Sequence, residues 1–245
     1  MTAARTLATT RRVLAQLRRD PRTVALLLLV PLLLLWLLER VFAGQPGTFD
    51  RIGPALLALF PFVVMFLVTS VTTLRERASG TLERLLSMPL GKLDLLLGYG
   101  LAFGLVAVVQ ALLASALMLG PLGLDVAGPA WLLVVVAVVD AVLGCALGLF
   151  VSAFARTEFQ AVQFMPAVVL PQFLLCGLLV PRERMGEVLE AISAALPLSY
   201  AVDAMQRLTV EAGVSPRVLA DLLVVGLAIA LALALGAATL RRRTA

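Results

Sequence analysis

Apolar and polar positions alternate along this chain on the scale of whole helices. Six apolar runs stand at about Val24–Phe42, Ile52–Thr73, Leu95–Leu119, Pro129–Ala153, Phe159–Val180 and Val218–Leu240, separated by short polar or punctuated segments. A helix needs about 20 residues to cross the hydrocarbon of a bilayer. The pattern therefore predicts an all-α polytopic membrane protein with six transmembrane helices, forming a single transmembrane domain over residues 1–245. Ala43 could end a cleaved leader, but the first run is too long for a signal-peptide core and ends on Glu39-Arg40, so it is kept as a span.

Three segments between or before the runs carry their own pattern. Residues 1–22 are basic, with Arg5, Arg12 and Arg19 seven apart on one helical face and Leu7, Val13, Leu14 and Leu17 on the other. That spacing predicts an interfacial amphipathic helix with its arginines toward anionic headgroups. Residues 74–94 form the longest polar break between spans on the basic side. A span is expected to end in water at Arg75-Glu76-Arg77, to break at Ser79-Gly80, and to give way to a short helix over about Thr81 to Met88 that Pro89 stops. Leu82, Leu85 and Leu86 share one face of that helix, with Glu83, Arg84 and Ser87 away from it. About eight residues cannot hold a helix alone, so the leucines need a surface: headgroups, or a cytoplasmic partner. Residues 181–216 are too apolar for a free loop; Val188, Ile192 and Leu196 keep helical spacing, Pro197 interrupts, and an amphipathic piece runs from Tyr200 to Leu208.

Composition agrees with the pattern. Hydrophobic residues make up 61% of the chain and mean hydropathy is +1.03, which excludes an ordinary soluble domain. The net charge of +5 reads as a topology signal, not as a nucleic-acid face. With the N-terminus inside, fourteen Lys and Arg lie on inner segments and six on outer ones, so both termini are expected in the cytoplasm, with Trp36 and Trp131 near the outer interface. Lys92 is the only lysine among twenty Lys and Arg residues, as in a GC-rich bacterial gene, which suggests a bacterial plasma membrane.

The chemistry is sparse. His is absent, so the usual metal ligand and general base are missing. Cys145 and Cys176 lie in apolar runs, and no metal or disulfide spacing occurs. Gly91-Lys92 lacks the upstream glycine of a phosphate-binding loop, so the chain is expected to bind no ATP of its own and to be no enzyme. Asp140 is the one ionisable residue at mid-membrane; it shares a ridge with Gly144 and Gly148, and Gln110 and Gln172 reach about the same depth. These three fit a hydrogen-bonded interhelical cluster, a polar patch on a transport path, or a proton-carrying carboxylate. Phe62 and Phe66 share a face of the second span, while Phe164 and Phe173 accompany Pro166 and Pro171 on the fifth; packing and a substrate path are both open for them.

Two stretches carry a resemblance. R-E-R-x-x-G-T-L-E-R-L-L-x-x-P-L, from Arg75 to Leu90, resembles the loop between the second and third spans of exporter-type ABC transporter permeases, the ABC type-2 family. A-L-P-L-S-Y-A-V-D-A-M-Q-R-L, from Ala195 to Leu208, with Pro181 before it, is similar to the region joining their fifth and sixth spans. Met185-Gly186 departs from the Met-Pro common there. The resemblance implies ATPase coupling at Arg75, Glu76, Arg77, Gly80, Thr81, Leu82, Glu83, Leu85, Leu86 and Pro89. It implies an outer gate at Pro181, Pro197, Tyr200, Asp203 and Arg207, and a cavity enclosed by the second and fifth spans, where Phe62, Phe66 and Phe173 stand; Gln110, Asp140 and Gln172 join the candidate substrate path by their depth alone.

The expected protein is the permease subunit of an ABC exporter, coupled to a separate ABC ATPase that holds ATP and Mg, paired with a second permease protomer, and contacting no nucleic acid. Only two Tyr and two Trp are present, too few for sugar platforms, which favours a hydrophobic or amphipathic small molecule or lipid as substrate. A proton-coupled transporter using Asp140 and a non-transport membrane scaffold are the alternatives.

Overall fold

Helix boundaries fall where the sequence loses its helical register. The computed structural model describes residues 3–45, 47–78, 92–155 and 157–239, which are helical with no strand among them. Helix α1 (Ala3–Arg19) ends on Arg18 and Arg19, cations that suit a helix C-terminus. Asp20 caps α2 (Pro21–Phe42) by accepting from Thr23 N at 3.1 Å, with Pro21 at the first position, where no amide hydrogen is needed. Hydrogen bonds from the Thr23 hydroxyl and amide hold the Asp20 carboxyl below the usual carboxylate range.

Helix α3 (Thr48–Ala78) has 31 residues, about 46 Å at 1.5 Å per residue, and so outruns the hydrocarbon thickness. Then come α4 (Lys92–Leu119), α5 (Ala130–Ser152), α6 (Glu158–Leu175), a 3-10 turn (Arg182–Arg184), α7 (Glu187–Ala195), α8 (Pro197–Val210) and α9 (Pro216–Thr239). Five of these, α2, α3, α4, α5 and α9, are long and apolar enough to cross a membrane. The expected fifth span, Phe159–Val180, is shorter than its apolar run: α6 stops at Leu175 because Gly177 takes φ +94°, a left-handed turn open to glycine. At 18 residues it is about 27 Å long, and its Pro166, Pro171 and glutamines leave it the least apolar of the six.

Helices α5 and α3 form the centre, with 67% and 61% of their spans buried, against 22% for α9 and 17% for α2 at the periphery. The cause lies in α5. A side-chain carbon added at Gly144 would sit 2.4 Å from Phe62 O, and one at Gly148 would sit 2.5 Å from Phe66 O. Two missing side chains thus let parallel helix backbones touch, the small-residue mode of packing in membranes. Phe62, Met65 and Phe66 close over this seam with no exposed surface.

Two segments depart from the surface role that their amphipathicity predicts. Helix α1 packs on α4, with Thr9, Val13 and Leu17 buried at i, i+4, i+8, while Leu7 stays 61% exposed. Helix α8 sits against α3, α5 and α9, burying Leu198, Ala201, Val202, Ala204, Met205 and Leu208. The loop before α5 closes over its C-terminus, where Gly128 N donates to Leu208 O at 2.8 Å. The bundle therefore has two distinct ends, an α1 end and, at the other extreme, an α7–α8 hairpin bent by 94°. Trp36 and Trp131 are 43% and 62% exposed on helix turns near the hairpin end.

Candidate functional site

At the α1 end, three helices meet through one carboxylate. Arg12 Nη2 donates to Glu76 Oε2 at 2.7 Å, the Tyr99 hydroxyl donates to the same oxygen, and the Arg12 guanidinium lies 5.7 Å from the Tyr99 ring centroid. This joins α1, the last turn of α3 and the second turn of α4. The helices approach closely enough because position 98 is glycine: a Cβ there would lie 2.5 Å from Thr9 Cβ. Thr10 Oγ1 then donates to Gly98 O at 3.1 Å. One residue earlier on α3, Arg75 donates from Nε and Nη2 to the two oxygens of Glu158, both at 3.0 Å, tying α3 to the first turn of α6. That paired geometry is the directional form of an ion pair, though half-exposed.

Arg75 and Glu76, expected as contacts for an ATPase, thus face different ways. Arg75 is exposed, while Glu76 is 9% exposed and turned into the bundle. Arg12, expected to face headgroups, also turns inward, since Glu76 offers a stronger partner than water. The Arg77 side chain and Gly80, Thr81, Leu82, Glu83, Leu85, Leu86 and Pro89 lie outside the described residues. The ends of that segment are placed: α3 and α4 deliver it beside α1 and α6.

The mid-membrane trio does not form a cluster. Gln110 Nε2 donates to Leu27 O at 3.1 Å, fastening α4 to α2. Gln172 Nε2 donates to Val168 O, and its Oε1 accepts from Leu198 N at 3.3 Å, satisfying an amide at the start of α8. Asp140 is buried with neither carboxylate oxygen hydrogen-bonded. The expected interhelical hydrogen bonding among the three is replaced by bonds from each glutamine to main chain. Phe62 and Phe66 are wholly enclosed, and Phe173 is half-buried against the core, so in this single chain all three pack.

The hairpin end holds a cavity of about 940 Å³. Of the residues expected at an outer gate, Pro181, Asp203 and Arg207 line it, while Pro197 and Tyr200 lie behind its wall. Pro181 starts the 3-10 turn and Pro197 starts α8. The Tyr200 hydroxyl donates to Ala194 O at 2.7 Å, latching the hairpin, and Arg182 lies 5.0 Å over the Tyr200 ring. Arg207 bonds Asp203 at 3.0 Å and Glu211 at 3.2 Å. Ser193 Oγ donates to Leu175 O at 2.7 Å, pinning α7 to the end of α6. Tyr99, Gly98, Glu158, Ser193, Asp50 and Arg51 of the first turn of α3, and the loop residue Asp125 were given no role by the sequence, and Arg12 was given a different one. Only Gly98 left a signal, as a small residue on a span facing an amphipathic helix.

A family model described as ABC-2 type transporter matches residues 4–209. "ABC transporter G family member 20" of Dictyostelium discoideum is 26% identical over 165 residues, covering 66% of this chain and 23% of that protein. "Inner membrane transport permease YhhJ" of Escherichia coli (strain K12) is 28% identical over 145 residues, 59% of this chain and 39% of its own. "Probable multidrug ABC transporter permease YbhR" of the same strain is 28% identical over 150 residues, 61% and 41% respectively. The chain thus spans from about a quarter to two-fifths of the length of these relatives.

Proposed function

The chain belongs to the ABC-2 type transporter family, and on that premise we propose that it is the membrane-spanning permease subunit of an ATP-driven exporter. It works as a dimer with a separate ATPase that holds ATP and Mg, in a bacterial plasma membrane with both termini in the cytoplasm. Its substrate is a hydrophobic or amphipathic small molecule, in keeping with the word multidrug in the name of one relative.

The observation that carries this reading is the continuity of α3. A single 31-residue helix begins at the hairpin end and finishes at Ala78, where the segment resembling a coupling helix starts. Its last turn is clamped to α1, α4 and α6 through Glu76 and Arg75. A push on residues 79–91 therefore moves the foot of α3 with three neighbours, and the far end of α3 packs against α8 beside the cavity. A flexible tether would dissipate such a displacement; a clamped helix transmits it.

The test is detergent pull-down of the co-expressed ATPase with the wild-type permease, Glu83→Lys and Leu85→Asp, each first shown to elute as a folded species. An exposed charge that meets only water contributes little, whereas reversal inside a protein groove costs up to several kcal/mol. Both variants are expected to lose ATPase and ATP-dependent transport. Wild-type levels of both in both variants would refute coupling through this segment. A second reading, with Asp140 as a proton carrier, is favoured by its two buried oxygens without partners.

A further inference from the structure

The cavity at the hairpin end is built from three separate parts of the chain. The loop into α3 and its first turn bring Gly47, Asp50 and Arg51; the loop before α5 brings Asp125; the stretch from Cys176 through the 3-10 turn brings Arg182 and Arg184. Two glycines with positive φ shape it, Gly47 at +75° and Gly177 at +94°. The Arg182 stem runs beside the Gly177 turn, its Cγ 3.5 Å from where a Cβ at position 177 would stand, an ordinary contact.

Its charges are not mutually satisfied. Arg207 is neutralised by Asp203 and Glu211. Among the described residues, Arg51, Arg182 and Arg184 have no carboxylate within ion-pair distance, and Asp50, Asp125 and Glu183 have no cation within it. Asp50 makes one weak contact, accepting from Asp125 N at 3.4 Å. Guanidiniums without a carboxylate suit phosphate. The carboxylates in the same wall oppose a simple anion, and call for a ligand that carries a cation as well. An apolar lip adjoins this dipolar chamber, with Leu179 57% and Val180 45% exposed.

We propose that the hairpin-end cavity binds the zwitterionic phosphodiester headgroup of a lipid-like amphiphile, its phosphate at Arg182 and Arg184, its ammonium at Asp50 and Asp125, and its tails over Leu179 and Val180. This deepens the exporter reading by naming a substrate class, and it rests on that reading for its meaning in transport. The binding itself needs neither ATP nor the ATPase.

The full chain, purified in detergent and stripped of lipid, is titrated with phosphatidylethanolamine, phosphatidylglycerol or inorganic phosphate, and bound ligand is read by native mass spectrometry. Wild type is expected to retain phosphatidylethanolamine in preference to phosphatidylglycerol, and inorganic phosphate is expected to compete poorly. Arg184→Glu changes an exposed side chain outside the helix interfaces, and should weaken phosphatidylethanolamine binding by about tenfold or more. Asp50→Asn with Asp125→Asn should instead shift preference toward phosphatidylglycerol, a change that general damage to the fold would not produce. Equal retention by wild type and both variants, a wild-type preference for phosphatidylglycerol, or full displacement by inorganic phosphate would each overturn the proposal. No ATPase enters the measurement, so failure of coupling through residues 79–91 leaves this result standing, and absence of binding leaves the coupling reading standing.

Discussion

Substitution of Gly144 by alanine tests the centre of the fold. The added Cβ would lie 2.4 Å from Phe62 O, and 3.1 Å from both Phe62 C and Phe62 Cα, all main-chain atoms. An ordinary contact there is about 1 Å longer, so α3 and α5 must separate along a seam that also contains Gly148. Overpacking of this kind costs about 1–3 kcal/mol. Alanine recovers up to about 1 kcal/mol by its better helix propensity. The net expectation is a loss of up to about 2 kcal/mol, and more for Gly144→Ala with Gly148→Ala together. Gly226→Ala on α9 has nothing within 4 Å of the new carbon and supplies the control, neutral or slightly stabilising. For a chain of this size, 1 kcal/mol corresponds to about 2–4 °C in melting temperature. The assay is thermal unfolding in one detergent, followed by fluorescence-detected size exclusion. If Gly144→Ala melts at or above wild type while Gly226→Ala is neutral, the two helices are not in backbone contact and the central seam is wrong.

Gly98→Val should detach α1, because its side chain would enter the space of Thr9; limited proteolysis is expected to release residues 1–19 faster than in wild type, and unchanged cleavage would refute the docking. Glu76→Gln should do the same more weakly, since the Arg12 charge is left without its partner. A cysteine at Ser87 should react with an impermeant thiol reagent only from the cytoplasm, and one at Val188, 73% exposed on α7, only from outside; the opposite labelling would overturn the orientation. Asp140→Asn removes an unpartnered buried carboxylate, so stability should hold or rise, with ATP-dependent transport modestly reduced and no new pH dependence. Loss of transport in an assembled complex would move weight to a proton-carrying or substrate-path role.

The apolar runs by themselves determined that the chain is all-α and crosses a membrane, and they placed the ends of five spans to within about five residues. They did so because transfer out of water acts on each helix separately, and backbone hydrogen bonding inside lipid leaves a helix no alternative. The fifth run was overdrawn at its C-terminal end, where a glycine conformation and not hydropathy sets the boundary. Motifs along the chain also picked out Pro181, Asp203 and Arg207, which line one cavity, although nothing in them revealed that Asp50, Arg51 and Asp125 complete its wall. Those come from the first turn of α3 and the loop before α5, and no local pattern links them. Only the tertiary structure decided which face of each helix meets protein. Lipid tails are as apolar as a leucine, so an apolar stripe reports that a face leaves water and not what it meets. Helices α1 and α8 read as surface elements for that reason, and Arg12 read as a headgroup contact. The bundle claims all three because Gly98 lets α1 and its Arg12 approach α4 and Gly128 lets the loop before α5 close on Leu208 of α8, and a close neighbour then supplies the partner that headgroups and water would otherwise provide.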